Sequence, residues 1–134
     1  MKYLFDTSAL SDILRRQPNP GLIARLNQTA ITDRATSSVC LMELRYGCAL
    51  KRDPALWQRI EEHILQYFSV ISFGRREAQR CGELLAFLSH QGTPIGVEDS
   101  QIGATAVEHN LTVVTGNVKH FERIPHLTVE NWLS

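Results

Sequence analysis

The sequence predicts a single α/β domain with a mainly parallel central sheet and helices on both of its faces. Short strand-like runs alternate along the chain with segments of helical periodicity, which is the order that a parallel sheet requires. A chain of 134 residues, of which 43% are hydrophobic, has the size and composition of one folded domain. No repeat, low-complexity tract or change of composition marks a boundary. We therefore expect residues 1–134 to form one domain.

Each predicted strand is a short apolar or β-branched run. The first occupies residues 2–5, almost at the start of the sequence. The most distinct lies at residues 111–115, because β-branched side chains favour a strand and dominate this run. The remaining strands are expected at residues 35–39, 69–72 and 127–129.

The predicted helices begin at capping signals, where a short polar side chain precedes a run with helical spacing of apolar residues. In two of these signals, proline follows the capping residue at the first helical position, which its fixed backbone angle suits. The signals are Asp6, Asn19-Pro20, Ser38 and Asp53-Pro54. Two further helices are expected at residues 75–90 and 99–110.

Composition argues against several classes of protein. Fourteen basic and fourteen acidic residues give zero formal charge, so binding to nucleic acid would need a local basic face or a metal ion. Cys40, Cys48 and Cys81 form no CxxC pair, which argues against a disulfide framework or zinc site and fits a cytoplasmic protein. The apolar runs are too short for a signal peptide or a membrane span.

Three carboxylates stand where an extended stretch gives way to a helical pattern: Asp6, Glu43 and Asp99. A parallel sheet gathers such junctions at the carboxyl ends of its strands. Oxygen ligands without histidine or cysteine suit Mg²⁺ or Mn²⁺, which often serve phosphodiester chemistry. Taken singly, Asp6 and Asp99 are better explained as helix caps and Glu43 as an exposed helical residue. Only the three together indicate a metal site.

Four stretches, in this order and spacing, resemble the motifs of one protein family. They are FDTS at residues 5–8, MELRYG at 42–47, PIGVEDSQIGA at 94–104 and TGNVKHF at 115–121. This pattern is similar to that of the PIN-domain ribonucleases, specifically the VapC-type toxins of bacterial toxin–antitoxin pairs. Each motif is weak alone, but the four together, in this order and in a chain of this length, are a strong signal, and the resemblance covers the whole chain. The resemblance implies an endoribonuclease that depends on Mg²⁺ or Mn²⁺ and acts as a toxin.

The resemblance also implies roles for individual residues. Asp6 and Asp99 match the family's metal-binding acids. Glu43 matches the acid of its Glu-Leu-x-x-Gly helix and is expected to act through a metal-bound water or as a third ligand. Thr7 and Thr115 are expected to hold the acids in place through hydroxyl hydrogen bonds.

Asn117 stands where many family members carry a fourth catalytic acid. Its side chain keeps a carbonyl oxygen but lacks the charge, which favours one firmly held metal ion over two. Glu98 precedes Asp99 directly, but neighbouring residues at a helix start point in different directions, so it is a poor substitute for the missing acid.

The implied partners are an RNA substrate, with structured RNA such as tRNA as the expected class, a small antitoxin and a second copy of the chain in a homodimer. Arg45 and Lys119, together with His120, are the first candidates for RNA contacts, which would make binding sensitive to salt. Further candidates are Arg15, Arg16, Arg75, Arg76 and Arg123.

The apolar residues of the first helix and of residues 56–68 are expected to leave surface uncovered for the homodimer and for an antitoxin helix. Two other functions remain open. Asn117 is compatible with a catalytically silent PIN-like module that binds nucleic acid or a partner. A small phosphatase or nuclease of another α/β fold is less compatible, because the sequence lacks a glycine-rich phosphate loop and an Asp-x-Asp pair.

Overall fold

A five-stranded parallel sheet forms the centre of the computed structural model, which describes residues 1–134. The strands are β1 (Tyr3–Phe5), β2 (Arg34–Ser37), β3 (Ser69–Ile71), β4 (Thr112–Val114) and β5 (Val129–Glu130). Their spatial order is β3-β2-β1-β4-β5, and every neighbouring pair is parallel. The predicted parallel α/β fold is therefore confirmed.

Seven α-helices connect these strands. They are α1 (Thr7–Ile13), α2 (Pro20–Asn27), α3 (Ser38–Lys51), α4 (Pro54–Ile60), α5 (Arg75–His90), α6 (Val97–Glu108) and α7 (Val118–Phe121). A 3-10 turn at Ile31–Asp33 precedes β2, and a π-helical turn at Glu61–Leu65 extends α4. None of the helices combines the length and the apolar composition that a bilayer crossing requires.

The strand order reverses direction between β1 and β4, and this reversal positions the site. The chain runs outward from β1 to β3, then returns to place β4 on the other side of β1. Because parallel crossovers are right-handed, the two directions put helices on opposite faces of the sheet. Phe5 is in register with Val114, so Asp6 and Thr115 emerge side by side at the carboxyl edge. Ligand sites of open α/β sheets form at such a reversal.

Three of the four predicted capping signals are confirmed: Asp6, Asn19 and Asp53 each accept a backbone N–H in the first turn of their helix. The prediction for Ser38 is wrong. Strand β2 runs as far as Ser37, whose extended backbone makes it the cap of α3, with its Oγ accepting the N–H of Cys40 at 3.1 Å. The hydroxyl of Ser38 instead accepts the N–H of Phe73 at 2.9 Å.

Helix α6 begins two residues earlier than predicted. The carbonyl of Gly96 accepts both the backbone N–H and the side-chain hydroxyl of Ser100, each at 3.0 Å, so the hydrogen-bonded helix starts at Val97. Asp99 therefore occupies the third position of the first turn instead of opening the helix. A carboxylate in this turn interacts favourably with the partial positive charge of the helix N-terminus.

The expectation of uncovered apolar surface on the first helix and on residues 56–68 is wrong, because most of these side chains belong to the core. The buried members are Leu10, Leu14, Ile60, Ile64 and Phe68. The ring of Phe68 packs edge-to-face on Phe5, with 5.1 Å between the ring centroids. The exposed apolar stripe lies on α3 instead, where Met42, Tyr46 and Leu50 follow one another at intervals of one turn.

Candidate active site

Asp6 is a buried carboxylate that the fold holds by both of its oxygens. Its Oδ1 accepts the hydroxyl of Ser8 at 2.7 Å and the N–H of Ala9 at 3.0 Å. Its Oδ2 accepts the hydroxyl of Thr115 at 2.5 Å. Since each carboxylate oxygen has about two acceptor positions, Oδ1 is fully occupied, whereas Oδ2 retains one position for a further partner.

The negative charge of Asp6 lacks a cationic partner within the protein. Burial raises the pKa of Asp6, the hydrogen bonds from Thr115, Ala9 and Ser8 oppose this rise, and the nearby charge of Asp99 adds to it. The ion pairs of the protein involve other acids. A bound cation would therefore compensate a charge that the fold buries and leaves unpaired.

Glu43 is oriented by Thr7. The Thr7 hydroxyl donates to Oε1 of Glu43 at 2.6 Å, and this bond joins the first turn of α1 to α3. The other carboxylate oxygen, Oε2, has no hydrogen-bond partner in the protein. Thr7 and Thr115 thus each bind a different acid, which agrees with the predicted role of these two hydroxyls.

Asp99 and Asn117 meet at the ring of His120. The Nδ1 atom of His120 lies 2.9 Å from Oδ2 of Asp99 and 2.8 Å from Nδ2 of Asn117. The backbone N–H of Asn117 donates to the Thr115 hydroxyl at 2.8 Å, and that hydroxyl donates to Asp6. Hydrogen bonds through Thr115, Asn117 and His120 therefore connect Asp6 to Asp99, with the Asn117 residue joining the two parts. The sequence indicated His120 only as an RNA contact, although its spacing of three residues from Asn117 places the two side chains one helical turn apart.

The chemistry of this donor set fits Mg²⁺ or Mn²⁺. Asp6 and Asp99 offer oxygens, and Asp99 is close enough to raise the pKa of Asp6. No three acidic, histidine or cysteine side chains lie close enough together to enclose an ion by themselves. One or two carboxylates together with several waters is a ligand set by which proteins bind Mg²⁺.

Glu98 is exposed and lines a surface cavity together with Glu43, Met42 and Tyr46. It therefore borders Glu43, whereas its neighbour Asp99 contacts His120. The different surroundings of these adjacent acids follow from their positions in a helix, where consecutive side chains diverge.

Comparison with known proteins identifies the family. The sequence model of the PIN-domain family matches residues 3–127 of the chain. The chain belongs to the PIN-domain family. The match spans every element from β1 to α7, so the PIN domain contains all of the residues of the site described above.

Individual PIN proteins resemble the chain over nearly its full length. Ribonuclease VapC2 of Haemophilus influenzae is 32% identical over 133 residues, which cover 99% of each chain. The tRNA(fMet)-specific endonuclease VapC of Salmonella typhimurium is 30% identical, over 98% of each chain. A chain in the crystal structure of VapBC2 from Rickettsia felis, bound to a DNA fragment from its promoter, superposes with a TM-score of 0.88 at 32% identity, over 98% of this chain and 99% of that one. The VapC-type resemblance that the four motifs predicted is confirmed.

A groove in the PIN domain runs from Glu43 along α3 and is bordered by two basic side chains, Arg15 and Lys51. The motifs in the sequence did not indicate Lys51, although it lies eight residues after Glu43, two turns further along the same helix face. Gly47 stands between them and leaves the groove open. Arg15 also pairs with Asp12 at 2.9 Å, and its side chain remains 66% exposed.

The two basic residues predicted to position the substrate lie in different surroundings. The guanidinium of Arg45 stacks over the ring of Trp57, 4.7 Å from its centroid. Two residues correspond to about 200° around a helix, so Arg45 projects away from Glu43. Lys119 is exposed on α7, next to His120 and within reach of solvent at the edge of the site.

Proposed function

We propose that this protein is an endoribonuclease that hydrolyses RNA phosphodiester bonds with Mg²⁺ or Mn²⁺ and acts as the toxin of a toxin–antitoxin pair. The observation that carries the proposal is the set of hydrogen bonds linking Asp6 to Asp99 at the carboxyl edge of a PIN domain that spans residues 3–127. Relatives that bear the name ribonuclease or endonuclease, at 30–32% identity over at least 98% of their length, support the same activity.

Asp6 and Asp99 are the proposed metal ligands. Asp6 would bind through Oδ2, its oxygen with a remaining acceptor position, and Asp99 through Oδ1, since Oδ2 already faces His120. When bound, the ion would neutralise negative charge that develops on the scissile phosphate. The unpaired negative charge of the buried Asp6 carboxylate would strengthen the binding of this ion.

Glu43 and Asn117 complete the proposed catalytic group. Thr7 fixes one oxygen of Glu43, so the free Oε2 is available to orient the attacking water and to accept its proton. Asn117 is neutral and is held beside Asp99 by His120, which suits it to a hydrogen bond with a substrate oxygen. Thr7 and Thr115 orient the acids through their hydroxyl hydrogen bonds. Lys119, beside His120, is the proposed contact to the RNA backbone at the site, whereas Arg45, which projects away from Glu43, would contact RNA outside the site.

The proposed partners follow from the relatives. The Salmonella typhimurium relative is named for a tRNA, which supports structured RNA as the substrate class. The Rickettsia felis structure is a toxin–antitoxin complex on DNA, which supports a small antitoxin as a partner. We also propose a homodimer, for which the exposed stripe of Met42, Tyr46 and Leu50 offers apolar surface.

The test is RNA cleavage by the purified chain, freed of any antitoxin, on a mixture of transfer RNAs. We expect cleavage with Mg²⁺ or Mn²⁺, its loss on addition of EDTA and its return when metal is restored. Asp6→Ala and Asp99→Ala should abolish cleavage while circular dichroism shows a retained fold. The matched control is Glu83→Ala, which removes an exposed acid of α5 outside the site.

Full cleavage in EDTA, or in either aspartate variant, would contradict the proposal. Binding of RNA without cleavage under all metal conditions would instead support the catalytically silent module. The substitution of the fourth family acid by Asn117 is the observation that keeps this second function open.

A further inference from the structure

We propose that His120 is a positioning residue of this active site, which fixes the Asp99 carboxylate and the orientation of the Asn117 amide through a single Nδ1–H group. The inference rests on the proposed function and deepens it. Its basis is the contact of one ring nitrogen with both side chains, at 2.9 Å and 2.8 Å.

The fold holds His120 and Asp99 at this distance by close packing of α7 on α6. Phe121 follows His120 and is completely buried, which anchors the single turn of α7. On α6, a Cβ atom at Gly103 would lie 2.3 Å from Cδ1 of Ile124 and 3.7 Å from Cδ1 of Phe121. A side chain at Gly103 would therefore require Ile124 to move, so glycine at this position allows α6 and the segment after α7 to pack closely as they stand.

Whether Nδ1 of His120 donates or accepts depends on whether it carries a proton. A ring nitrogen either carries a proton and donates, or carries a lone pair and accepts. Asp99 is an acceptor, and a hydrogen bond to a charged carboxylate is about twice as strong as a neutral one. Nδ1 therefore carries the proton and donates a hydrogen bond to Oδ2 of Asp99. The donor hydrogens on Nδ2 of Asn117 cannot also bind that nitrogen.

The Asn117 amide resolves this conflict by a half-turn about its last side-chain bond, which exchanges its oxygen and nitrogen. Its Oδ1 then shares the proton on Nδ1 with Asp99, and its NH₂ group is left to donate elsewhere. Asn117 in this orientation offers a hydrogen-bond donor to an oxygen of the substrate phosphate and no oxygen ligand to a metal. His120 thereby determines which function the uncharged side chain performs.

Three variants of His120 separate positioning from other roles. Asparagine places an N–H group close to the position of Nδ1, whereas glutamine reaches only to the position of Nε2, and alanine removes both. With tRNA as substrate, we expect His120→Ala to lower kcat by about 10- to 100-fold and to leave KM within about twofold, as is typical when the residue that orients a ligand is lost. His120→Asn should restore most of kcat, and His120→Gln should not.

A second measurement uses no RNA. Titration calorimetry with Mn²⁺ should show an apparent dissociation constant that rises by roughly 10-fold in His120→Ala and returns toward the original value in His120→Asn. The matched control is His90→Ala, which removes an exposed histidine at the end of α5 and should change neither readout. Circular dichroism establishes that each variant is folded, and His120→Gln retains the side-chain bulk if alanine does not fold.

Several outcomes would overturn the proposal. Unchanged kcat and Mn²⁺ affinity in both His120→Ala and His120→Gln would show that Asp99 needs no orientation. A rise in KM alone would assign His120 to RNA binding. Equal losses in the asparagine and glutamine variants would show that the position of Nδ1 is unimportant. If the parent chain cleaves no RNA, the proposed function fails, and the Mn²⁺ titration still decides the role of His120.

Discussion

Thr115 donates its hydroxyl proton to Oδ2 of Asp6 at 2.5 Å, although the two residues are 109 positions apart in the sequence. The contact exists because β1 and β4 are parallel neighbours and Phe5 is in register with Val114, so the next residue of each strand lies at the same edge. A residue with the sequence signature of a helix cap is thereby fixed as a site carboxylate. Asp6 serves both roles at once, since it caps α1 through Oδ1 and faces Thr115 through Oδ2.

Replacing Thr115 by valine tests this contact, because valine retains the shape and lacks the hydroxyl. We expect the free energy of unfolding at neutral pH to fall by about 1.5–3 kcal/mol, the usual contribution of a hydrogen bond to a charged group. Cleavage should also weaken, because Asp6 is no longer held in one orientation. Urea unfolding and initial rates measure the two effects. Thr115→Ser keeps the hydroxyl and is the control; equal stability of the valine and serine variants would contradict the role of this bond.

Asp6→Asn should separate stability from activity. Burial raises the pKa of Asp6 in the folded protein, so folding disfavours the charged carboxylate. The free energy of unfolding therefore decreases as the pH rises through the range in which this carboxyl ionises. Without metal at neutral pH, the neutral asparagine should therefore raise the melting temperature while it abolishes cleavage. Thermal unfolding in EDTA measures this, across a pH series in which the advantage of the variant should vanish under acid conditions.

The same variant tests the origin of metal affinity. Mn²⁺ should raise the melting temperature of the parent protein, because an ion that binds only the folded state stabilises it by about 2.7 kcal/mol at 100 times its dissociation constant. In Asp6→Asn this shift should be greatly reduced. A parent protein whose melting temperature is the same in EDTA and in excess Mn²⁺ would contradict a metal site at Asp6.

The alternation of elements and the motif residues were sufficient to predict the parallel fold and the approach of the motif acids to one edge of the sheet, because both follow from local periodicity and from a general property of parallel sheets. The start of α6 was not predictable in the same way. Ser100 and Gly96 form the bonds that begin it, and these compete with the capping signal that Asp99 presents in sequence. Register between strands, and hence the pairing of Asp6 with Thr115, depends on the whole sheet.

Side-chain contacts across elements were the least predictable part of the site. His120 contacts Asp99 because α7 packs beside α6, and no pattern in the sequence near His120 indicates that packing. Similarly, the apolar spacing of residues 56–68 would be the same whether that face packs in the core or binds a partner. Only the packing of Phe68 on Phe5 shows that the face is core.

Glu77 should contribute to resistance against acid. Burial raises the pKa of this carboxyl, but hydrogen bonds from His109 and from the N–H of Gly74 outweigh burial and lower the pKa below its ordinary value. Because the pKa of Glu77 is lower in the folded protein, its ionised carboxylate stabilises the fold above the ordinary glutamate pKa of about 4.3. This stabilisation is lost as the pH falls through the pKa of Glu77 in the folded protein. Because His109 caps α6, this pair joins the helix of Asp99 to α5.

Replacing Glu77 by glutamine should therefore lower stability at neutral pH and give a shallower loss of stability on acidification than in the parent protein. Unfolding by urea at a series of pH values between about 3 and 7 gives the two slopes. Glu83→Gln changes an exposed acid on the same helix and should follow the parent curve. If the curve of the Glu77→Gln variant runs parallel to that of the parent over the whole range, the contacts of Glu77 do not depend on its charge.

Arg15 and Lys51 should bind the RNA backbone, because they border the groove that begins at Glu43. Each phosphate contact contributes about 0.7 to 0.9 to the slope of the logarithm of affinity against the logarithm of salt concentration, so Lys51→Ala should weaken RNA binding and reduce that slope by about one unit. Arg15→Ala should act in the same direction. Fluorescence anisotropy with the inactive Asp99→Ala protein measures binding without cleavage. Lys2→Ala, at the opposite end of β1, is the control. A weaker affinity with an unchanged salt slope would mean that the groove contacts RNA without pairing to its phosphates.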